Sequence, residues 1–191
     1  MANQSSTGFG LRPLRKVGQN DDNAGLSEWK KASGSAAINH HELVQLLSTG
    51  YVLSAAAGGP ALLGSLNGSF YTAPTTLKPT WSNYAPSVVA SDHTCLINDD
   101  PYQMYEMMTA LTNYTDPGNA GSTADIVATA GSGSPNYISG FTLGTASVDA
   151  DVQMKVIGLT RDTLSQDVSV AGSVWRCMVN EHILGSNSLG I

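Results

Sequence analysis

The chain of 191 residues is thinly charged, with 13% Asp, Glu, Lys and Arg against an ordinary level of about 25%, and its formal net charge is −6. Residues 1–31 hold five basic and three acidic groups, a net of +2, whereas residues 32–191 hold four and twelve, a net of −8. No basic field covers the body to wrap nucleic acid, no run of eighteen apolar residues offers a membrane span, and the start lacks the apolar stretch of a secretory signal.

The length suits one domain, with or without an extended tail, and is ample for a proper core. Gly, Ala, Ser, Thr and Asn stand where charge is missing. Such a surface belongs either to a chain that meets partners over much of its area or to a Ser/Thr/Asn-rich soluble β-domain. Within the first twenty residues Arg12, Arg15 and Lys16 have no acidic neighbour, and Gly8, Gly10, Pro13 and Gly18 exclude a regular helix or a central strand. A segment of this kind, taken alone, is mobile and becomes ordered only against something else. Residues 1–25 are therefore expected to form an extended N-terminal arm, and 26–191 a single β-rich domain. Phe9, Leu11 and Leu14 need a place to be buried, and a neighbouring subunit or partner surface that pairs with the arm as an added strand would supply it. Arg12, Arg15 and Lys16, flanking Pro13, then suit an acidic partner. The alternative is a first strand folded back onto its own domain.

LSEWKKA (26–32) is short and amphipathic, a strand entering the body. LVQLL (43–47) and YVLSAAA (51–57), parted by Ser48, Thr49 and Gly50, read as a hairpin closed by a left-handed Gly. ALLGSL and SFYT read as two short strands around an Asn67-Gly68 turn, and YTAPTTLKPTWSNYAPS, with Pro74, Pro79 and Pro86, as an irregular surface loop. SVVASDHTCLI is a further core segment. DDPYQMYEMMTAL stays ambiguous: Asp100 and Pro101 suit a helix start, but a strand buried on both faces fits equally well. Residues 112–137 form a long polar loop interrupted by one strand at ADIVATA. ISGFTLGTASV, VQMKVIGLT and SVWRCMVNEHIL complete the set. Short strands at this spacing describe an antiparallel β-barrel or sandwich.

Motifs that carry chemistry are sparse. Cys95 and Cys177 sit in apolar runs and read as buried thiols, with no disulfide framework. In a strand His40 and His41 point to opposite faces, and Gln45 stands where a zinc-binding helix would need its second histidine. Asp99-Asp100 reads as a turn or cap, and Asp149 and Asp151 have no third acidic partner for a cation. Asp92, His93 and Cys95 are too close in sequence for a nucleophile and its base to converge from separate parts of a fold. Tyr71, Trp81 and Tyr84 are either loop anchors or an exposed aromatic platform of the sort that reads carbohydrate.

Five segments, GFGLRPLRKVG, GYVLSAAAGGPALLG, YTAPTTLKPTWSNYAP, INDDPYQMYEM and RCMVNEHILGSNSLG, give the chain a resemblance, in consistent order over most of its length, to capsid decoration (cement) proteins of tailed bacteriophages. The chain departs from that family's pattern at Asn39 to His41, where a Gly-Asp pair is usual. The resemblance implies a β-rich structural protein, synthesised in the host cytoplasm, that binds the outer surface of the head shell in many copies, with no enzyme activity and no cofactor. Its partners would be the major capsid protein and neighbouring copies of itself, with Phe9, Leu11, Arg12, Pro13, Leu14, Arg15 and Lys16 as the capsid-binding segment. The alternative function is a glycan-binding module of a tail or head fibre, with Tyr71, Trp81 and Tyr84 as its site.

Overall fold

The computed structural model describes residues 3, 7–17 and 26–185. Along them run β1 (Arg12–Lys16), β2 (Ser27–Lys31), β3 (Leu43–Leu46), β4 (Tyr51–Ser54), the long β5 (Leu62–Thr72), β6 (Pro79–Ser82), β7 (Thr94–Asn98) and β8 (Gln103–Met108). β9 (Thr123–Ala124), β10 (Ile126–Val127) and β11 (Thr142–Leu143) have two residues each, followed by β12 (Met154–Leu159) and β13 (Val174–Val179). The fold is mainly β, as the short alternating runs require, and every strand pair but β2–β4 is antiparallel.

Two layers result. β3, β4, β2, β7 and β5 pair in that order, and β3 pairs again with β5, so these five strands close into a ring from which β6 extends along the free side of β5. The β3–β4 hairpin is the one expected, turning through Gly50 at φ 80°. The second layer is an open sheet, ordered β1-β8-β13-β12-β9. Strand alternation lets the ring supply two cores. Val44, Val52, Leu63, Cys95 and Ile97 fill its interior, whereas Leu43 and Leu62, one position away, face outward into a larger core with Leu11, Tyr105, Met107, Val156, Trp175 and Cys177. The layers approach closely at Gly64 (φ 143°), where any Cβ would overlap the Asn98 carbonyl oxygen and meet the Tyr105 hydroxyl at 2.8 Å. That hydroxyl donates to the Asn98 carbonyl at 2.8 Å, so one glycine and one tyrosine tie sheet to ring.

Several boundaries differ from the sequence expectation. Asn67-Gly68 is not a turn; β5 runs straight through it with a register shift between Leu66 and Gly68. The Pro/Thr-rich segment is no irregular loop throughout, because Pro79–Ser82 pairs with Ser69–Thr72 as a hairpin. ADIVATA divides into β9 and β10. The ambiguous segment at 101–111 holds a strand, β8, buried along both faces. Asp100 caps a turn there, accepting from the Tyr102 amide at 2.8 Å, and no helix follows it.

The largest correction concerns the arm. Residues 7–17 are integral to the domain: β1 pairs with β8, Leu11 is fully buried, and the Gly10 and Leu11 amides donate to the Phe141 and His41 carbonyls at 3.2 and 2.7 Å. Gly10, at φ 72°, is packed so tightly that a Cβ would overlap the His41 carbonyl oxygen. The folded-back first strand is therefore the arrangement found. Residues 1–2, 4–6 and 18–25 of the expected arm lie outside the described residues.

Candidate docking surface

The seven residues expected to bind a partner do not form one exposed unit. Leu11 belongs to the core and offers nothing outward. Arg12 pairs with Glu106 and lies 5.1 Å over the half-buried Phe9 ring. Lys16 bridges to Asp100 at 2.7 Å. Pro13 pairs with Tyr105, and a proline inside a strand fits only an edge such as this one. What β1 presents to solvent is Leu14, Arg15 and half of the Arg12 side chain, with Val17 just beyond the strand. Tyr102, 62% exposed, lies beside Val17, whose amide donates to the Tyr102 carbonyl at 2.9 Å. Among the described residues β1 is the edge of its sheet, and with its exposed apolar side chains and the Arg15 guanidinium it is suited to pairing with an extended strand of another protein. The basic excess of the segment is largely neutralised in place, because two of its three cations are held by Glu106 and Asp100.

Glu106 shows why this strand is fixed. It lies on the buried β8, opposite Arg12 on one neighbour and Arg176 on the other, and it accepts the Thr160 hydroxyl at 2.6 Å. A carboxylate this deep requires partners on every side, and β1 supplies one of them.

The remaining candidates resolve into structural roles. Asp99 accepts from Ser27 Oγ at 2.8 Å and from Trp29 Nε1 at 2.9 Å, fastening β2 to the end of β7. Asp149 accepts the Asp151 amide at 3.2 Å in a local turn. His40 and His41 do not point apart as a strand would make them. His41 is left-handed (φ 62°), held through its amide to the Leu66 carbonyl and through its carbonyl to the Leu11 amide, and the two rings stack 3.8 Å apart. Burial, then the neighbouring His40 and Arg12 charges, depress His41 to about 4. Among the described residues no three His, Cys, Asp or Glu gather as a metal would require.

Inside the ring, direct cross-strand pairing puts Trp29 opposite Cys95 and brings the Lys31 amide to the His93 carbonyl. Lys31 is 2% exposed, and its ammonium donates to the Ser35 carbonyl and hydroxyl at 2.9 and 2.8 Å. Burial pushes the Cys95 thiol up to about 12 and holds His93 down at about 4, with the Lys31 charge adding to the latter. At neutral pH both groups are uncharged, the opposite of the thiolate–imidazolium pair that a cysteine nucleophile needs. Neither Lys31 nor Glu106 stood out in the sequence. The only trace of Lys31 was the alternation Trp29-Lys30-Lys31, which places it on the Trp29 face.

The aromatic trio is also divided. Tyr71 turns towards His93, with ring centroids 5.0 Å apart, and Tyr84 stacks flat on Tyr137 at 3.7 Å. Trp81, 67% exposed, lies instead against Phe70, its direct cross-strand partner, at 4.9 Å. No family model, curated protein or solved structure matches the chain.

Proposed function

We propose that this chain is a virion structural protein, a decoration protein that binds the outside of a tailed-phage head shell and stabilises it without catalysing a reaction. Two things support the reading: the ordered set of segments that resembles such proteins, and the exposed β1 edge, which is the observation that carries it. Leu14, Arg15 and Val17 on that edge would meet the major capsid protein or a neighbouring copy, the partner strand completing the sheet through main-chain hydrogen bonds. Each copy would bridge adjacent shell subunits, so parting them against internal pressure would break additional contacts. Many modest interfaces on one lattice act together through multivalency, so no single one has to be strong. No cofactor takes part.

The test is the copy number of the chain relative to the major shell protein in purified source particles, by quantitative mass spectrometry. A ratio near one, or a simple fraction of it, is expected. A handful of copies would assign the chain to a tail or head fibre instead, and absence from the particle would end the structural reading.

A further inference from the structure

The strand registers place a row of side chains across four strands on one side of the ring. Trp81 pairs with Phe70, Phe70 with Thr94, and Thr94 with Lys30, running from β6 through β5 and β7 to β2. Directly opposed residues share a face. The interior positions alternate with these, as buried Ser69, Cys95 and Lys31 show. With strands spaced about 4.8 Å apart the row is about 14 Å long. Trp81, 67% exposed, marks one end and the exposed Lys30 the other.

The polar end of the row is fixed. Lys30 Nζ donates to Thr94 Oγ1 at 3.0 Å, and Thr94 Oγ1 donates in turn to the Asp92 carbonyl at 3.1 Å. The Asp92 carboxylate accepts the Thr72 amide and hydroxyl at 3.0 and 2.7 Å and feels the positive charge of Lys30. The Trp81 indole rests on Phe70 at an angle of 51°, with its position set before anything binds.

The geometry points to a binding site for a neutral saccharide chain on this face. A sugar ring presents C–H groups on one side, which pack on the negative face of an aromatic ring, and hydroxyls around its rim, which both donate and accept. Trp81 and Phe70 answer the first, while the Lys30 ammonium and the Asp92 carboxylate answer the second. A polyanion fits poorly: Asp92 stands beside the one lysine of the row, and residues 32–191 carry a net charge of −8. This inference does not rest on the shell-binding reading, and it replaces the Tyr71, Trp81 and Tyr84 platform, which the fold takes apart.

The test measures binding of maltohexaose, cellohexaose and chitohexaose, and of an array of bacterial surface polysaccharides, to the full chain, by titration calorimetry and tryptophan emission. At least one of these is expected to bind. Trp81→Ala should weaken it more than tenfold, Lys30→Ala several-fold, and Trp81→Phe far less than Trp81→Ala. Tyr71→Phe and Arg15→Ala should leave it unchanged. Because Trp81 is exposed, an unaltered unfolding midpoint separates lost binding from lost fold. A blank array with all three oligosaccharides inert would overturn the proposal, and so would binding that survives Trp81→Ala. Loss of shell occupancy by Trp81→Ala with a blank array would overturn it too, by making the face a protein contact. The particle copy number is a separate measurement, so either reading can fail alone.

Discussion

Substituting Leu11 is the sharpest check on the integration of the N-terminal strand. Leu11 is fully exposed to the shared core and not at all to water, packed with Leu43, Leu62 and the β8 and β13 side chains. Leu11→Ala should therefore destabilise by about 3–5 kcal/mol, the range for a buried leucine whose surroundings relax only in part. For a chain of this size each kcal/mol lowers the melting temperature by about 2–4 °C, so a drop of at least ~6 °C is expected. Removing residues 1–17 does more. It deletes the β1 ladder and the Lys16–Asp100 bridge, and leaves the largely buried Glu106 carboxylate without its half-exposed partner Arg12, a loss of about 1–3 kcal/mol by itself. The sum approaches the whole stability of an ordinary domain, about 5–15 kcal/mol. The truncated chain should fail to unfold cooperatively in urea, whereas Arg15→Ala should lie within about 0.5 kcal/mol of the parent. A truncation that melts like the full chain, or a Leu11→Ala that changes nothing, would refute the reasoning and return the segment to a loose arm. For the shell-binding question this has a practical consequence: truncation would confound docking with unfolding.

Leu14→Glu with Arg15→Glu is the cleaner probe of docking, because both side chains point to solvent; the double variant should keep its melting temperature and lose shell occupancy, read by co-sedimentation with stripped heads. Acid should destabilise the chain. His41 and His93 sit near 4 when folded against an ordinary 6.5, so the unfolded chain takes up protons first; the stability is whole above about 6.5 and declines as pH falls towards 4. The raised Glu42 acts in the opposite sense, so urea midpoints for the parent and His93→Gln should both fall on acidification, the variant less steeply. A midpoint that stays flat from pH 7 to 4.5 would contradict this. Cys95 and Cys177 are fully buried with thiols pushed above their ordinary range, so a disulfide reagent should find no fast thiol in the native chain and two after unfolding.

What the sequence revealed follows from how local each signal was. The β3–β4 hairpin rests on neighbouring residues and on Gly50, and it was readable. The segment Gly10 to Lys16 rests on Phe141, His41 and Glu106, between 30 and 131 residues away from the groups they hold, so its glycines looked like mobility although they serve close packing. Asn67-Gly68 carries the composition of a turn, but β5 has β3 or β7 and β6 beside it along its length, and continued pairing outweighs the local preference. In β8 alternation could not decide because both faces are apolar. His40 and His41 failed for another reason. Side chains alternate between faces only in a strand, and the left-handed His41 breaks that periodicity. The row from Trp81 to Lys30 was invisible since it depends on three registers at once.

The two outward surfaces trace back to one strand. Near its start β5 gives Leu62 to the core shared with the open sheet; eight residues on it gives Phe70 to the row on the ring's solvent face. At about 3.3 Å per residue these positions are about 26 Å apart along the chain. The β1 edge belongs to the open sheet, on the Leu62 side of that division. A copy anchored through β1 would therefore keep Trp81 clear of the anchoring contact. That separation is what a protein needs if it is to hold a shell with one surface and a saccharide with another. It also makes the two sets of variants independent: Leu14→Glu with Arg15→Glu should abolish shell occupancy and leave oligosaccharide binding intact, and Trp81→Ala should do the reverse. Cross-effects in either direction, with the fold preserved, would show that the two surfaces are one.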